Sequence, residues 1–294
     1  MPRSAVCVEI VDRRGSEWQV RTPRRGDTGY FAVKGAKKLG DANFQGAVAP
    51  CFVYRMLQSL NLLPFVLDGN FVHIAIPARR DDAGQWELMD AASIRTAGYA
   101  QTARRFQRID RAMSEADVVR HLHEKIDERH KLSLQVFPRG QYLVVNGAGG
   151  GIACAACMSL SQFSDMVVDQ TLYWTLVATQ EEAWYRVGLI NTDALTRAIR
   201  EFNPEGELGP RHLHTLPNRV IPPFDRGNLD HIEVADLAQQ LSALARPLIA
   251  DNANIADPAK PIASRRRILR GLLKDTPEFS AIEDASAAVL ACPS

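Results

Sequence analysis

Four glycines in six residues, Asn146-Gly147-Ala148-Gly149-Gly150-Gly151, lie between two apolar runs, Tyr142 to Val145 and Ile152 to Cys157. Such a run lets the chain turn sharply and lets a ligand or second backbone come close, so it limits the folds that can hold it. Two arrangements are compatible with it. In the first, a strand enters the glycine turn and a helix follows. Asp169, twenty residues after Gly149, then holds a ribose, as in a nucleotide-binding βαβ unit. In the second, the glycines make a tight turn between two strands. The second fits better: counted from Gly147, the sixth position of G-x-G-x-x-G is Ile152, and no alternating β/α pattern follows. A nucleotide- or cofactor-dependent enzyme built on Gly147 to Gly151 is therefore the alternative reading.

The rest of the chain reads as α+β, with a mixed or antiparallel sheet and a helical C-terminal region. Ala5 to Val11 and Glu17 to Arg21 alternate around Gly15, which is a hairpin signal. Pro50 to Leu60 carries apolar residues at Phe52, Val53, Met56, Leu57 and Leu60 and reads as a helix. Phe71 to Ile76 reads as a strand, residues 90–129 as mainly helical, and Tyr142 to Val145 and Met166 to Val177 as strands. Glu181 to Arg200 is helical with a break near Asn191. Asp230 to Leu248 is an amphipathic helix capped by Asp230, and a last helical region starts at Ser264. These elements group into three segments. Residues 1–130 are a hairpin and helical part, 131–228 a second α+β part, and 229–294 a helical end.

The longest apolar stretches, Leu62 to Leu67 and Ile152 to Cys157, fall far short of the ~20 residues that span a bilayer. The opening Met-Pro-Arg-Ser leads into the alternating segment without the character of a signal peptide. The five cysteines, Cys7, Cys51, Cys154, Cys157 and Cys292, form no framework of paired spacings and read as reduced thiols, so a cytoplasmic protein without a membrane partner is expected. Cys154-x-x-Cys157, His121-x-His123 and His212-x-His214 have metal-ligand spacings, but no second pair or acidic partner accompanies them, and they read as structural. No G-x-S-x-G, P-loop or H-E-x-x-H string is present, so no catalytic residue is assigned.

Net charge is +1, but residues 1–55 hold ten Arg/Lys against five Asp/Glu. A local basic excess attracts phosphates even in a near-neutral chain. The phosphate-contact candidates are Arg13 and Arg14 at the hairpin turn, Arg24 and Arg25, and Lys34, Lys37 and Lys38 in the glycine-containing stretch that follows. Arg104, Arg105 and Arg108 form a second, helical group, with Arg111 partly sharing its side. If these charges only solvate the surface, the chain is a protein-interaction scaffold.

Four stretches in order carry a resemblance. They are Phe44 to Val66, Tyr142 to Met158, Val167 to Asn191, and Phe202 to Leu237, which contains Phe202-Asn-Pro-Glu-Gly-Glu-Leu-Gly-Pro-Arg-His-Leu-His and Ile221-Pro222-Pro223-Phe224-Asp225. A basic stretch follows at Arg265 to Leu273. Over roughly residues 44–275 the chain resembles the C-terminal, target-recognition half of the large N6-adenine DNA methyltransferases of bacterial restriction-modification and phage-defence systems. The resemblance implies a module that binds double-stranded DNA and helps hold a flipped adenine, and it adds Arg211 and His212 to the DNA-contact candidates. It also implies that S-adenosylmethionine binds on a separate methyltransferase catalytic domain or subunit and that no cofactor binds this chain. The family's Asp/Asn-Pro-Pro-aromatic catalytic loop has no match: Ile221 stands where the polar residue is needed.

Overall fold

The alternating N-terminal segment pairs as its pattern requires. Strands β1 (Cys7–Asp12) and β2 (Trp18–Arg21) are antiparallel, with Glu9 opposite Arg21 and Ile10 opposite Val20. β3 (Gly46–Val48) pairs with β2. After a short 3-10 turn, Pro50–Phe52, the chain continues as β4 (Val53–Leu57). That strand corrects the helix expected over Pro50 to Leu60. Val53, Tyr54, Met56 and Leu57 are all buried, so the apolar residues of β4 serve both faces of a covered strand. Such a run imitates a helical stripe.

The computed structural model describes residues 3–13, 15–27, 30, 43–81, 83–116, 121–149, 152–162, 165–200 and 220–291. The chain divides into two bodies. The first comprises residues 1–57, 70–138 and 164–170, and the second 58–69, 139–163 and 171–294. Each has its own apolar core.

The small hairpin of β5 (Leu62–Leu63) and β6 (Val66–Leu67) belongs to the second body. The chain returns to the first as β7 (Val72–Ala75), which lies between β4 and β1. β8 (Ala78–Arg80) and β9 (Trp86–Leu88) make a separate two-stranded ladder. A late strand, β12 (Met166–Val168), pairs parallel to β4 and gives a six-stranded mixed sheet of order β12-β4-β7-β1-β2-β3. The Gln135 side chain meets both the N–H and the carbonyl of Val168, at 2.8 and 2.9 Å, so it acts like one residue of a further strand. A short N-terminal helix, α1 (Arg3–Val6), precedes β1, and Arg3 pairs with the buried Asp169 at 2.5 Å. Helices α2 (Ala91–Thr96), α3 (Ala100–Glu115) and α4 (Leu122–Ile126) complete this body, as the helical reading of 90–129 anticipates. Asp90 caps α2 by accepting from the Ser93 N–H.

In the second body, β10 (Tyr142–Gly149) is the middle strand of an antiparallel three-stranded sheet, between β11 (Ile152–Ser159) and β13 (Tyr173–Val177). α5 (Gln180–Ile190) and α6 (Asp193–Arg200) are separated at Asn191, where the break is expected. The buried Asn191 amide accepts from the Ala155 N–H and donates to the Ala155 and Val187 carbonyls, tying the end of α5 to β11. α7 (Leu229–Ala250) is capped by Asn228 rather than Asp230: the Asn228 side chain accepts the Asp230 N–H at 2.9 Å. α7 packs so closely on α5 that a Cβ added to Gly188 would stand 2.7 Å from a Val234 methyl. α8 (Ala253–Ala256), α9 (Ile262–Lys274) and α10 (Pro277–Ala291) complete the body. Glu283 of α10 accepts the Asp193 and Ala194 N–H groups and so caps α6. The architecture is α+β, with a mixed sheet and a helical C-terminal part.

Candidate nucleic-acid interface

The glycine run lies inside an antiparallel hairpin, with Gly149 opposite Ile152 and Gly147 opposite Cys154. A strand follows it, so the strand-turn-helix geometry that presents N–H groups to a phosphate is not formed. Gly150 and Gly151 lie outside the described residues. At Gly147 an added Cβ would meet the Leu172 and Leu62 side chains at 3.5 Å and the Thr171 carbonyl oxygen at 4.0 Å, all ordinary contacts. Cys154 and Cys157 sit three apart on β11, where alternate residues face opposite sides. Burial pushes their thiols up to about 11 and about 12. His121 and His123 stack with ring centroids 5.8 Å apart at the start of α4, not on a strand. Among the described residues, no group of three or more His, Cys, Asp or Glu is placed to hold a metal ion.

The Ile221 to Asp225 segment has a structural role. The Tyr185 hydroxyl donates to the Pro222 carbonyl at 3.1 Å, and the Tyr185 ring lies against Phe224 and His231. The Asp225 N–H donates to His231 Nδ1 at 3.0 Å, and burial holds that imidazole below its usual pKa, which keeps the accepting nitrogen free of a proton. Arg211, His212 and His214 lie outside the described residues.

In the basic stretch of α9, Arg265, Arg266 and Arg270 face inward, and Arg267 and Lys274 are exposed. Arg265 donates to the Ile255 and Leu60 carbonyls and pairs with Asp68 at 2.6 Å. Arg266 donates to the Leu62 and Ser59 carbonyls. Arg270, with Lys274, pairs with Asp193. The three buried guanidiniums of this helix therefore anchor residues 59–68 and α6.

The exposed phosphate-contact candidates lie in the first body, although the second body also exposes cations, among them Arg197, Arg226, Arg246, Arg267 and Lys274. On α3 the side chains of Thr102, Phe106, Ile109 and Met113 are buried, and Arg104, Arg108 and Arg111 form the exposed opposite side. Arg105 is corrected: it is 2% exposed, and its guanidinium donates to the Phe44 and Ala5 carbonyls. Burial pulls its pKa down to about 9, which still leaves it protonated at neutral pH, but a phosphate in solvent does not reach it. Sequence reasoning missed Arg95, whose Nη2 donates to Gln107 at 2.8 Å and brings a further cation to the exposed side of α3.

Arg108 donates to the Gln45 carbonyl at 3.0 Å and so is fixed against residues 43–45. The Phe44 N–H donates to Thr22 Oγ1, which ties those residues to the turn carrying Arg24 and Arg25, both exposed. That turn is held by a two-pronged Arg21–Asp27 pair at 2.5 and 2.8 Å and by the Arg24 N–H on Asp27. The Arg21 guanidinium holds the Asp27 carboxyl below its usual range. Tyr30 donates its N–H to the Asp27 carbonyl. Lys34, Lys37 and Lys38 lie outside the described residues, but the residues on either side of that stretch are anchored next to Arg24 and Arg108. Arg13 is exposed, with its guanidinium 5.1 Å from the Trp18 ring centre, and Arg14 lies outside the described residues.

Among the described residues, no helix is long and apolar enough to cross a membrane. No known family model matches the chain, and no curated protein matches its sequence.

Proposed function

We propose that the chain is the DNA-binding, target-recognition part of an N6-adenine-specific DNA methyltransferase, and that S-adenosylmethionine and the catalytic loop are supplied by a separate domain or subunit. The observation that carries the DNA contact is the side of α3 bearing Arg104, Arg108 and Arg111, tied through residues 43–45 to the Arg24–Arg25 turn. Surface arginines of this kind, among which Arg108 is fixed to the Gln45 carbonyl, set a protein's register on a phosphate backbone without reading bases. The assignment to an adenine methyltransferase rests on the sequence resemblance. The Tyr185 hydroxyl on the Pro222 carbonyl gives the Pro-Pro-Phe segment a structural role.

Fluorescence anisotropy with a mixed-sequence duplex of ~30 bp, titrated from low to physiological salt, tests the proposal. A steep linear fall of log affinity with log salt is expected. The Arg104→Ala/Arg111→Ala variant should lower the slope by about 0.9 for each phosphate that the two guanidiniums neutralise. An unchanged slope removes α3 from the interface, and no binding at low salt removes the DNA reading. S-adenosylmethionine should leave the melting temperature unchanged.

A further inference from the structure

Only Ala97, Gly98 and Tyr99 separate α2 from α3, and they close in a defined way. The Gly98 N–H donates to the Arg95 carbonyl at 3.0 Å and the Tyr99 N–H to the Ile94 carbonyl at 3.1 Å. That pair of bonds is a Schellman stop, and Gly98 takes the left-handed conformation it needs, with φ of 95°. α3 starts directly afterwards at Ala100. Ile94 of α2 is buried in the same core as Ala103 and Phe106 of α3, so the two helices are held as one unit. Thr102 fixes the start of α3 from inside: its Oγ1 accepts the Ala49 N–H at 2.9 Å and donates to Glu17 at 3.0 Å.

A short helix, a tight glycine turn and a second helix make the helix-turn-helix arrangement. Its second helix lies in the major groove of DNA, with the N-terminal residues at base edges. The outer side of α3 suits that place. From Ala100 to Arg111, Gln101, Arg104, Gln107, Arg108 and Arg111 are exposed, with no carboxylate among them. Asp110 is turned to the Leu122 N–H at 2.7 Å, and Glu115 comes only at the far end. Gln101 lies closest to the N-terminus on this side. Arg104 Nη1 donates to its Oε1 at 3.3 Å, a bond that steadies the amide and uses neither of its N–H donors. Arg95, at the end of α2, is likewise tied to Gln107. It brings a cation to the part of such a unit that meets the phosphate backbone.

We propose that α2 and α3 form a helix-turn-helix unit that seats α3 in the major groove, and that Gln101 reads an adenine there through its amide. The inference rests on the DNA reading and adds a base contact to the phosphate contacts of the α3 arginines. A glutamine amide presents a donor and an acceptor side by side. They match N7 and the N6 amino group of adenine, a pair that a duplex displays in its major groove. The amide carries no charge, so its loss leaves the release of counterions from the phosphates unchanged.

The test is selection from a library of randomised duplexes by the full chain and by its Gln101→Ala variant, followed by anisotropy on the enriched duplex. Gln101 is exposed, so the folding of the variant is not in question. The expected result is an A·T position that the wild-type chain prefers by about tenfold and the variant does not, with the same salt slope in both. Replacing that adenine with 7-deazaadenine removes the N7 acceptor from the major groove. It should weaken the wild-type chain and leave Gln101→Ala unaffected. Duplex binding with no preferred position, or with a preference that survives in Gln101→Ala, overturns the base contact and leaves the DNA reading standing. An enriched adenine that tolerates the 7-deaza replacement overturns the major-groove placement. Binding to no duplex even at low salt overturns both the DNA reading and this inference.

Discussion

Arg105 and Arg108 stand three residues apart on one helix and meet opposite environments. Arg105 enters the core of the first body, where the Ala5 and Phe44 carbonyls accept its protons. Arg108 stays at the surface and grips residues 43–45. Replacing Arg105 with Met would leave two carbonyls unpaired in the interior, a loss of about 2–6 kcal/mol when each costs 1–3. Urea unfolding should show this loss for Arg105→Met and almost none for Arg104→Ala. Equal stabilities would mean that Arg105 can be spared from the core. The separation was legible in the sequence. Thr102, Arg105, Phe106, Ile109 and Met113 follow the i, i+3, i+4, i+7, i+11 spacing of a buried stripe, and Arg105 belongs to it by position. Reading charge before periodicity placed it outside. Arg95 was not legible, because only the fold brings it beside Gln107.

At the scale of elements, arginine also acts as a fastener in α9. The β5–β6 hairpin and its flanks, residues 58–69, are too short to make a core of their own, and Arg265 and Arg266 bind the Leu60, Leu62 and Ser59 carbonyls there. Asp68 closes the set against Arg265. Removing one partner of a buried pair costs about 3–5 kcal/mol, because the other charge stays buried and uncompensated. Arg265→Ala should therefore lower the melting temperature sharply, and Arg265→Ala/Asp68→Asn should recover part of the loss. No recovery in the double variant would show that the carbonyl contacts, not the ion pair, hold the hairpin. Several elements were readable from sequence: β1, β2, β7, α3 and α5 all lie within the runs that the residue pattern marks as strand or helix. β4 was not, because a strand covered on both faces leaves no alternation to read. The strands flanking the glycine run were legible, but Asn146 to Gly149 continue β10 where a turn was expected, and sequence alone could not rule out a helix after the run, since Ile152 to Cys157 is made of residues that suit either.

Over the whole molecule, charge divides unevenly. The first body holds 21 Arg/Lys against 17 Asp/Glu, and the second 14 against 17. Three of the second body's cations, Arg265, Arg266 and Arg270, are buried, which leaves still less positive charge there for a polyanion. If DNA is the partner, its phosphates should therefore settle on the first body alone. Hydrogen exchange measured with and without a duplex at low salt tests this at the level of the whole chain. Slowed exchange is expected in α3, in residues 18–27 and in residues 43–48, whose amides border the exposed arginines. α7 and α9 should exchange at the same rate in both states. Protection that appears in α7 or α9 instead would move the interface to the more acidic body. It would also mean that binding depends on something other than net positive charge, such as base contacts made from a surface with no phosphate anchor. Protection in both bodies would require the duplex to span them, and then alanine at Arg104 and Arg111 should remove it from α3 while leaving it in the second body.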